Sequence, residues 1–224
     1  MILLPRGNPV KEKVNPARVN LPEAMEKLRG STFSGYLRFD TEEGTGIIIF
    51  ETGKLISAFY QASSSGEKLI AYDAISRIFE VSIEGNAELN IYRVEPELAM
   101  GIHGLLHGDY VYQEQDPQHI NIRLLLDKIK RNHLNGCMRI YTEEKAALIF
   151  YENGVSLGFF HDGSTRLEKT ADTSSSLARQ PGARLDLLAT RTTEEVMLAD
   201  LMASADLGPI WQKLRKKMLN VRRR

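Results

Sequence analysis

Apolar residues along the chain alternate between two periods. Leu21, Ala24, Met25 and Leu28 recur at helical spacing, and so do Ile122, Leu125, Leu126 and Ile129. Each set predicts an amphipathic helix, because residues three and four apart share one helical face. Three short runs rich in β-branched and aromatic residues follow each helix. They are Phe33 to Asp40, Thr45 to Phe50 and Lys54 to Tyr60, then Leu134 to Tyr141, Ala146 to Tyr151 and Val155 to His161. Thr-Glu-Glu and Glu-Thr-Gly or Glu-Asn-Gly separate the runs. That is hairpin-turn chemistry, so each half is expected to carry a three-stranded antiparallel meander. Gly53 and Gly154 would take the positive φ that the second turn requires.

The two halves also match in identity at one constant offset. Asn20/Asn121, Lys27/Lys128, Gly35/Gly136, Arg38/Arg139, Thr41/Thr142, Glu42/Glu143, Glu43/Glu144, Ile48/Ile149, Glu51/Glu152, Gly53/Gly154, Phe59/Phe160, Glu67/Glu168 and Lys68/Lys169 all coincide. Composition alone would give about a quarter as many. The copies diverge after the meander. Leu69, Ile70, Tyr72, Ile75, Ile78 and Phe79 predict an amphipathic helix before a strand over Ala87 to Val94. The second half instead has Thr170, Asp172, Thr173, Ser174, Ser175, Ser176 and Arg179, and reaches its strand, Ala183 to Thr190, five residues sooner. Leu98, Ile102, Leu105 and Leu106 then predict a closing helix, answered by Val196, Leu198, Leu201 and Met202.

The expected architecture is α+β, with two repeated units. Each has an N-terminal helix, a three-stranded antiparallel meander, a variable helix, a further strand and a C-terminal helix. Residues 1–19, with Pro5, Gly7, Pro9 and Pro16, read as an extended arm. Unit 1 is expected over 20–107, a linker over 108–119, unit 2 over 120–203, and a basic C-terminal helix or tail over 204–224.

Composition narrows the setting. The chain of 224 residues is 42% hydrophobic and 26% charged, which suits two folded units rather than a disordered chain. A single cysteine, Cys137, cannot form an intramolecular disulfide, and a reduced, cytoplasmic compartment is expected. The opening Met-Ile-Leu-Leu stops at Pro5 and Arg6, too early for a signal-peptide core, and no transmembrane segment is expected. Net charge is formally zero but uneven. The end of the chain carries Lys213, Arg215, Lys216, Lys217, Arg222, Arg223 and Arg224 with no acidic residue from Trp211 onward, leaving an acidic body.

No catalytic constellation stands out, so no enzyme activity and no cofactor are expected. His103 and His107 are four apart and would share a helix face, with Asp109 close by. They form a weak metal candidate, because zinc sites show more ligands than two. Cys137 lies in a strand and reads as a small core residue rather than a nucleophile. Gly44-Thr45-Gly46 and Thr52-Gly53-Lys54 lie between strands, not before a helix, and read as turns rather than phosphate cradles. Near the end, Ile210, Trp211, Leu214, Met218 and Val221 approximate one helical face and the cations the other. That segment is expected either to dock on the acidic body or to contact nucleic acid or an anionic membrane.

The sequences Phe-Ser-Gly-Tyr-Leu-Arg-Phe and Ile-Ile-Ile-Phe-Glu-Thr-Gly-Lys-Leu-Ile-Ser-Ala-Phe-Tyr precede Gly66-Glu67-Lys68-Leu69. With Gly35, Gly53, Ala58 and Gly66, this first half resembles the domain of unknown function at the N-terminus of PatA-like response regulators. Gly136 and Gly154 carry the pattern into the second half, where Phe159 replaces the small residue. The Pro5-Arg6-Gly7-Asn8-Pro9 opening and the arrangement after it also resemble uncharacterised archaeal proteins. The resemblance implies a signalling-associated interaction module without naming a partner. The expected function is therefore a non-enzymatic interaction or scaffold protein that binds an unknown protein, a polyanion through its tail, or a further copy of itself. A small-ligand or metal site between the units is the rival reading. The segment around Leu207 to Leu219 is expected to help cover the sheet of the second unit, or to leave that face to a partner.

Overall fold

The computed structural model describes residues 4, 6–161, 166–169, 177–190 and 199–221. They form an α+β fold with two antiparallel sheets, one of six strands and one of five. The chain divides into two compact units. One holds Pro9–Ala99 and the described part of Leu198–Arg224, and the other holds the described parts of Leu3–Asn8 and Met100–Met197.

In the first unit the chain runs β1 (Asn8–Val14), a 3-10 turn, α1 (Leu21–Gly30), β2 (Gly35–Asp40), β3 (Gly44–Glu51), β4 (Lys54–Ala62), β5 (Lys68–Ile70), α2 (Ala71–Glu84) and β6 (Glu88–Arg93). The predicted meander is the antiparallel run β2-β3-β4, and β6 inserts beside β2 to give the order β1-β6-β2-β3-β4-β5. Helix α3 (Pro96–His107) follows, and the division between the units falls inside it.

The second unit contains β7 (Asp109–Gln115), a second 3-10 turn, α4 (Ile122–Arg131), β8 (Gly136–Tyr141), β9 (Ala146–Glu152), β10 (Val155–His161) and β11 (Arg184–Ala189). Their order, β10-β9-β8-β11-β7, follows the first sheet strand for strand from β4 through β1. The expectations of an extended arm and of a linker are both corrected here. Residues 8–14 and 109–115 are edge strands, at the same offset as the rest of the repeated pattern. After each strand an Asx cap starts the turn, with Asn15 accepting from the Ala17 N–H and Asp116 from the Gln118 N–H. Lys13 and Glu114 share a left-handed φ near 50°, and each N–H donates to a side chain of the neighbouring strand, Asn90 and Asp186 respectively. Polar, charged sequence hides these strands from a hydrophobic-period reading, because edge strands tolerate exposed polar residues.

The core of the first unit explains its helices. Leu37, Phe39, Ile48, Phe50 and Tyr60 of the sheet pack with Leu21 and Met25 of α1 and with Ile75, Ile78 and Phe79 of α2. Gly46 matters here, because a Cβ would lie 2.6 Å from Ile78 Cγ1 and hold α2 off the strand. The second unit has Ala147 at the corresponding place. The two turn glycines behave alike. A Cβ on Gly53 would meet the Arg29 carbonyl at 2.5 Å, and one on Gly154 the Lys130 Cα at 2.7 Å, so each turn is wedged under a helix end.

Helices α5 (Leu201–Ser204) and α6 (Leu207–Val221) correct two further expectations. Met202 was expected to close the second unit, and Leu207 to Leu219 to help cover its sheet. Instead Met202, Leu207 and Trp211 are buried in the core of the first unit, with Ile210 and Leu214 packed against it. Residues 191–198, between the last strand and α5, lie outside the described residues, as does the Ser-rich segment 170–176. Of the late segment of the second half, the described part is a 3-10 turn at Leu177–Arg179.

Candidate functional site

The C-terminal segment is held on the first unit by specific contacts. Asp200 caps α5, accepting from the Met202 N–H at 3.0 Å and from the Leu55 N–H of β4 at 3.3 Å, and it lies 3.6 Å from the Arg29 guanidinium. The Tyr72 hydroxyl donates to the Leu201 carbonyl at 2.9 Å. In α6, Trp211 meets Phe79 edge to face, with ring centroids 5.0 Å apart. Trp211, expected as an interaction residue, is a core residue, because an indole that finds an apolar helix face within its own chain is taken out of water there. Lys213, Arg215, Lys216 and Lys217 are exposed on α6, and Lys217 lies 3.8 Å from Glu80. Arg222, Arg223 and Arg224 lie outside the described residues.

The same surface of the second unit is open. Ile122 and Leu126 of α4 occupy the positions of Leu21 and Met25. The first-unit pair are 1% and 0% exposed, whereas Ile122 is 37% and Leu126 42% exposed. Val155, at the start of β10 and next to the Gly154 wedge, is 62% exposed. Strand β10 shifts register between Ser156 and Gly158, as β4 does at the corresponding place, so Ser156 stands where Leu55 does. Lys130 stands where Arg29 does. An apolar strip bordered by Arg123 and Lys130 thus lies where the first unit binds α5 and α6. Ile122, Leu126 and Val155 are three large apolar side chains left exposed on this unit.

The histidines have a different character. The His103 and His107 rings lie 4.6 Å apart, centroid to centroid, on the last turns of α3. Burial, and after it the neighbouring His107, hold His103 down at about pKa 4, so it is neutral at physiological pH. Its Nδ1 is buried without a hydrogen-bond partner. Asp109 begins β7, paired with Ala189. Among the described residues, no three His, Cys, Asp or Glu side chains are arranged to hold a metal ion. Cys137 is fully buried and its thiol is pushed up by that burial, which disfavours the thiolate a nucleophile needs.

Sequence reasoning missed the most buried charge. Asp186 of β11 accepts from Arg139 Nε at 3.0 Å and Nη2 at 2.5 Å, and from the Glu114 N–H at 2.7 Å. Arg139 also lies over the Tyr141 ring, its guanidinium carbon 4.4 Å from the centroid. These partners come from the unit's own strands, so the pair ties β7, β11 and β8 together. The matching Arg38/Arg139 was the signal, but its partner is not repeated. Asn90 takes the place of Asp186, and Arg38 bonds Asp40 at 2.7 Å instead.

Residues 2–106 match the family described as an uncharacterized protein conserved in archaea (DUF2226), so the first half of the chain is similar to that family. Neither a curated protein nor a solved structure gives a significant match.

Proposed function

We propose that the protein is a non-enzymatic interaction module whose second unit docks a helix of another protein on the open flank of α4 and the start of β10. The observation that carries this reading is the contrast between equivalent positions. Leu21 and Met25 are buried in one core with the chain's own C-terminal segment, while Ile122 and Leu126 are 37% and 42% exposed. A helix laid into an apolar strip with i, i+4 anchors is a common mode of protein recognition. The signalling association implied by the resemblance to PatA-like regulators fits such a module and rests on Gly35, Gly53, Ala58 and Gly66. Association of the tagged protein in its native cell tests the reading. Leu126→Asp together with Val155→Asp is expected to remove proteins bound by the wild type while the unfolding transition stays in place. An unchanged set of bound proteins would contradict it.

A second reading is favoured by the outer face of α6, where Lys213, Arg215, Lys216 and Lys217 are all exposed on a helix already anchored by Trp211. Such a face attracts a polyanion by counterion release. Binding to heparin is then expected to weaken as salt rises and to be lost in the fourfold Glu variant at these positions. Salt-independent binding, or none, would remove this role.

A further inference from the structure

We infer that the partner helix docked by the second unit imitates this chain's own α5–α6 segment in its anchors but is acidic where α6 is basic. The inference rests on the docking reading above. The first unit shows what the site takes: a carboxylate cap, Asp200, that reaches a β-strand N–H and an arginine on the neighbouring helix, followed by buried Met202, Leu207 and Trp211. The second unit repeats the receiving parts. Lys130 replaces Arg29 as the cation for a cap carboxylate, Ser156 replaces Leu55 at the same irregularity in the strand, and Ile122 and Leu126 replace Leu21 and Met25 as the apolar floor.

Charge decides between the possible occupants. Helix α4 carries Arg123, Lys128, Lys130 and Arg131 against a single acid, Asp127, whereas α1 balances Glu23 and Glu26 against Lys27 and Arg29. The α6 of a second copy carries Lys213, Arg215, Lys216 and Lys217 with no acid on the helix, so its approach to a unit whose receiving helix is itself basic is opposed by like charge. Its place in the first unit is different, since Glu80 there faces Lys217. Lys128 is engaged by the Tyr112 hydroxyl on the β7 side, which leaves Arg123 and Lys130 beside the strip, and a helix with Asp or Glu on its polar face satisfies both the strip and those two cations.

Two synthetic peptides titrated against the full chain by fluorescence anisotropy test this. One spans residues 199–218, and the other has Lys213→Glu, Arg215→Glu, Lys216→Glu and Lys217→Glu. The acidic peptide is expected to bind at least about tenfold more tightly than the native one. Its binding should weaken with salt, and about tenfold in Lys130→Glu and in Leu126→Asp. Lys130 lies on the surface of α4, so Lys130→Glu tests the idea even where Leu126→Asp perturbs folding. Equal or tighter binding of the basic peptide points to exchange with a second copy and overturns the inference, as does no binding of the acidic one. Acidic-peptide binding that survives both variants places the peptide elsewhere and also overturns it. Should the Leu126→Asp and Val155→Asp pair release cellular partners while the acidic peptide fails to bind, docking stands and only the acidic partner is wrong.

Discussion

At the scale of single residues, function separates from structure by comparing equivalent positions. Met25 and Leu126 have the same apolar character and the same place on a helix, yet one is covered and the other exposed. Trp211 is what covers the first unit, through its ring contact with Phe79. Trp211→Ala is expected to destabilise the chain by about 3–5 kcal/mol, since it removes a buried indole and leaves a cavity among α1, α2 and α6. Denaturant unfolding followed by circular dichroism measures it, and a loss below about 1 kcal/mol would show that α6 is only loosely applied. Asp186 and Arg139 belong with the structural residues, because among the described residues their hydrogen bonds hold strands of one sheet.

At the scale of elements, hydrophobic periodicity placed α1, α4 and both meanders to within a few residues, as the alternation of Leu37, Phe39, Ile48 and Phe50 required. Edge strands β1 and β7 were read as arm and linker. Lys11, Glu12 and Lys13 in β1 and Gln113, Glu114 and Gln115 in β7 interrupt the apolar alternation, and each strand is further tied by a hydrogen bond from Lys13 or Glu114 to a side chain far along the chain. The destination of α6 was equally hidden. Its amphipathic face was legible in Trp211 and Leu214, but which sheet it covers depends on complementary surfaces more than a hundred residues away. Leu55 and Asp200 meet only in the fold. The open flank was foreshadowed by the divergence of the two halves after the meander, although its position on α4 became visible only once α6 was seen on the other unit. The metal candidate shows the converse. A sequence spacing brought His103 and His107 together without bringing Asp109 into a ligand set.

At the scale of the molecule, two units with the same strand order carry different surfaces. The first completes itself with the C-terminal segment of the chain, and the second presents the corresponding strip to solvent. On the docking proposal, the self-covered first unit supplies stability and the open second unit supplies the contact. Among the described residues no helix is long and apolar enough to cross a membrane. The most direct measurement places a photo-crosslinking amino acid at position 126 in living cells, with the same group at exposed Ile70 of the first unit as the comparison. The account predicts a covalent adduct to another protein from position 126 and none from position 70. Equal adducts from both positions, or adducts from position 126 only to further copies of this chain, would contradict it.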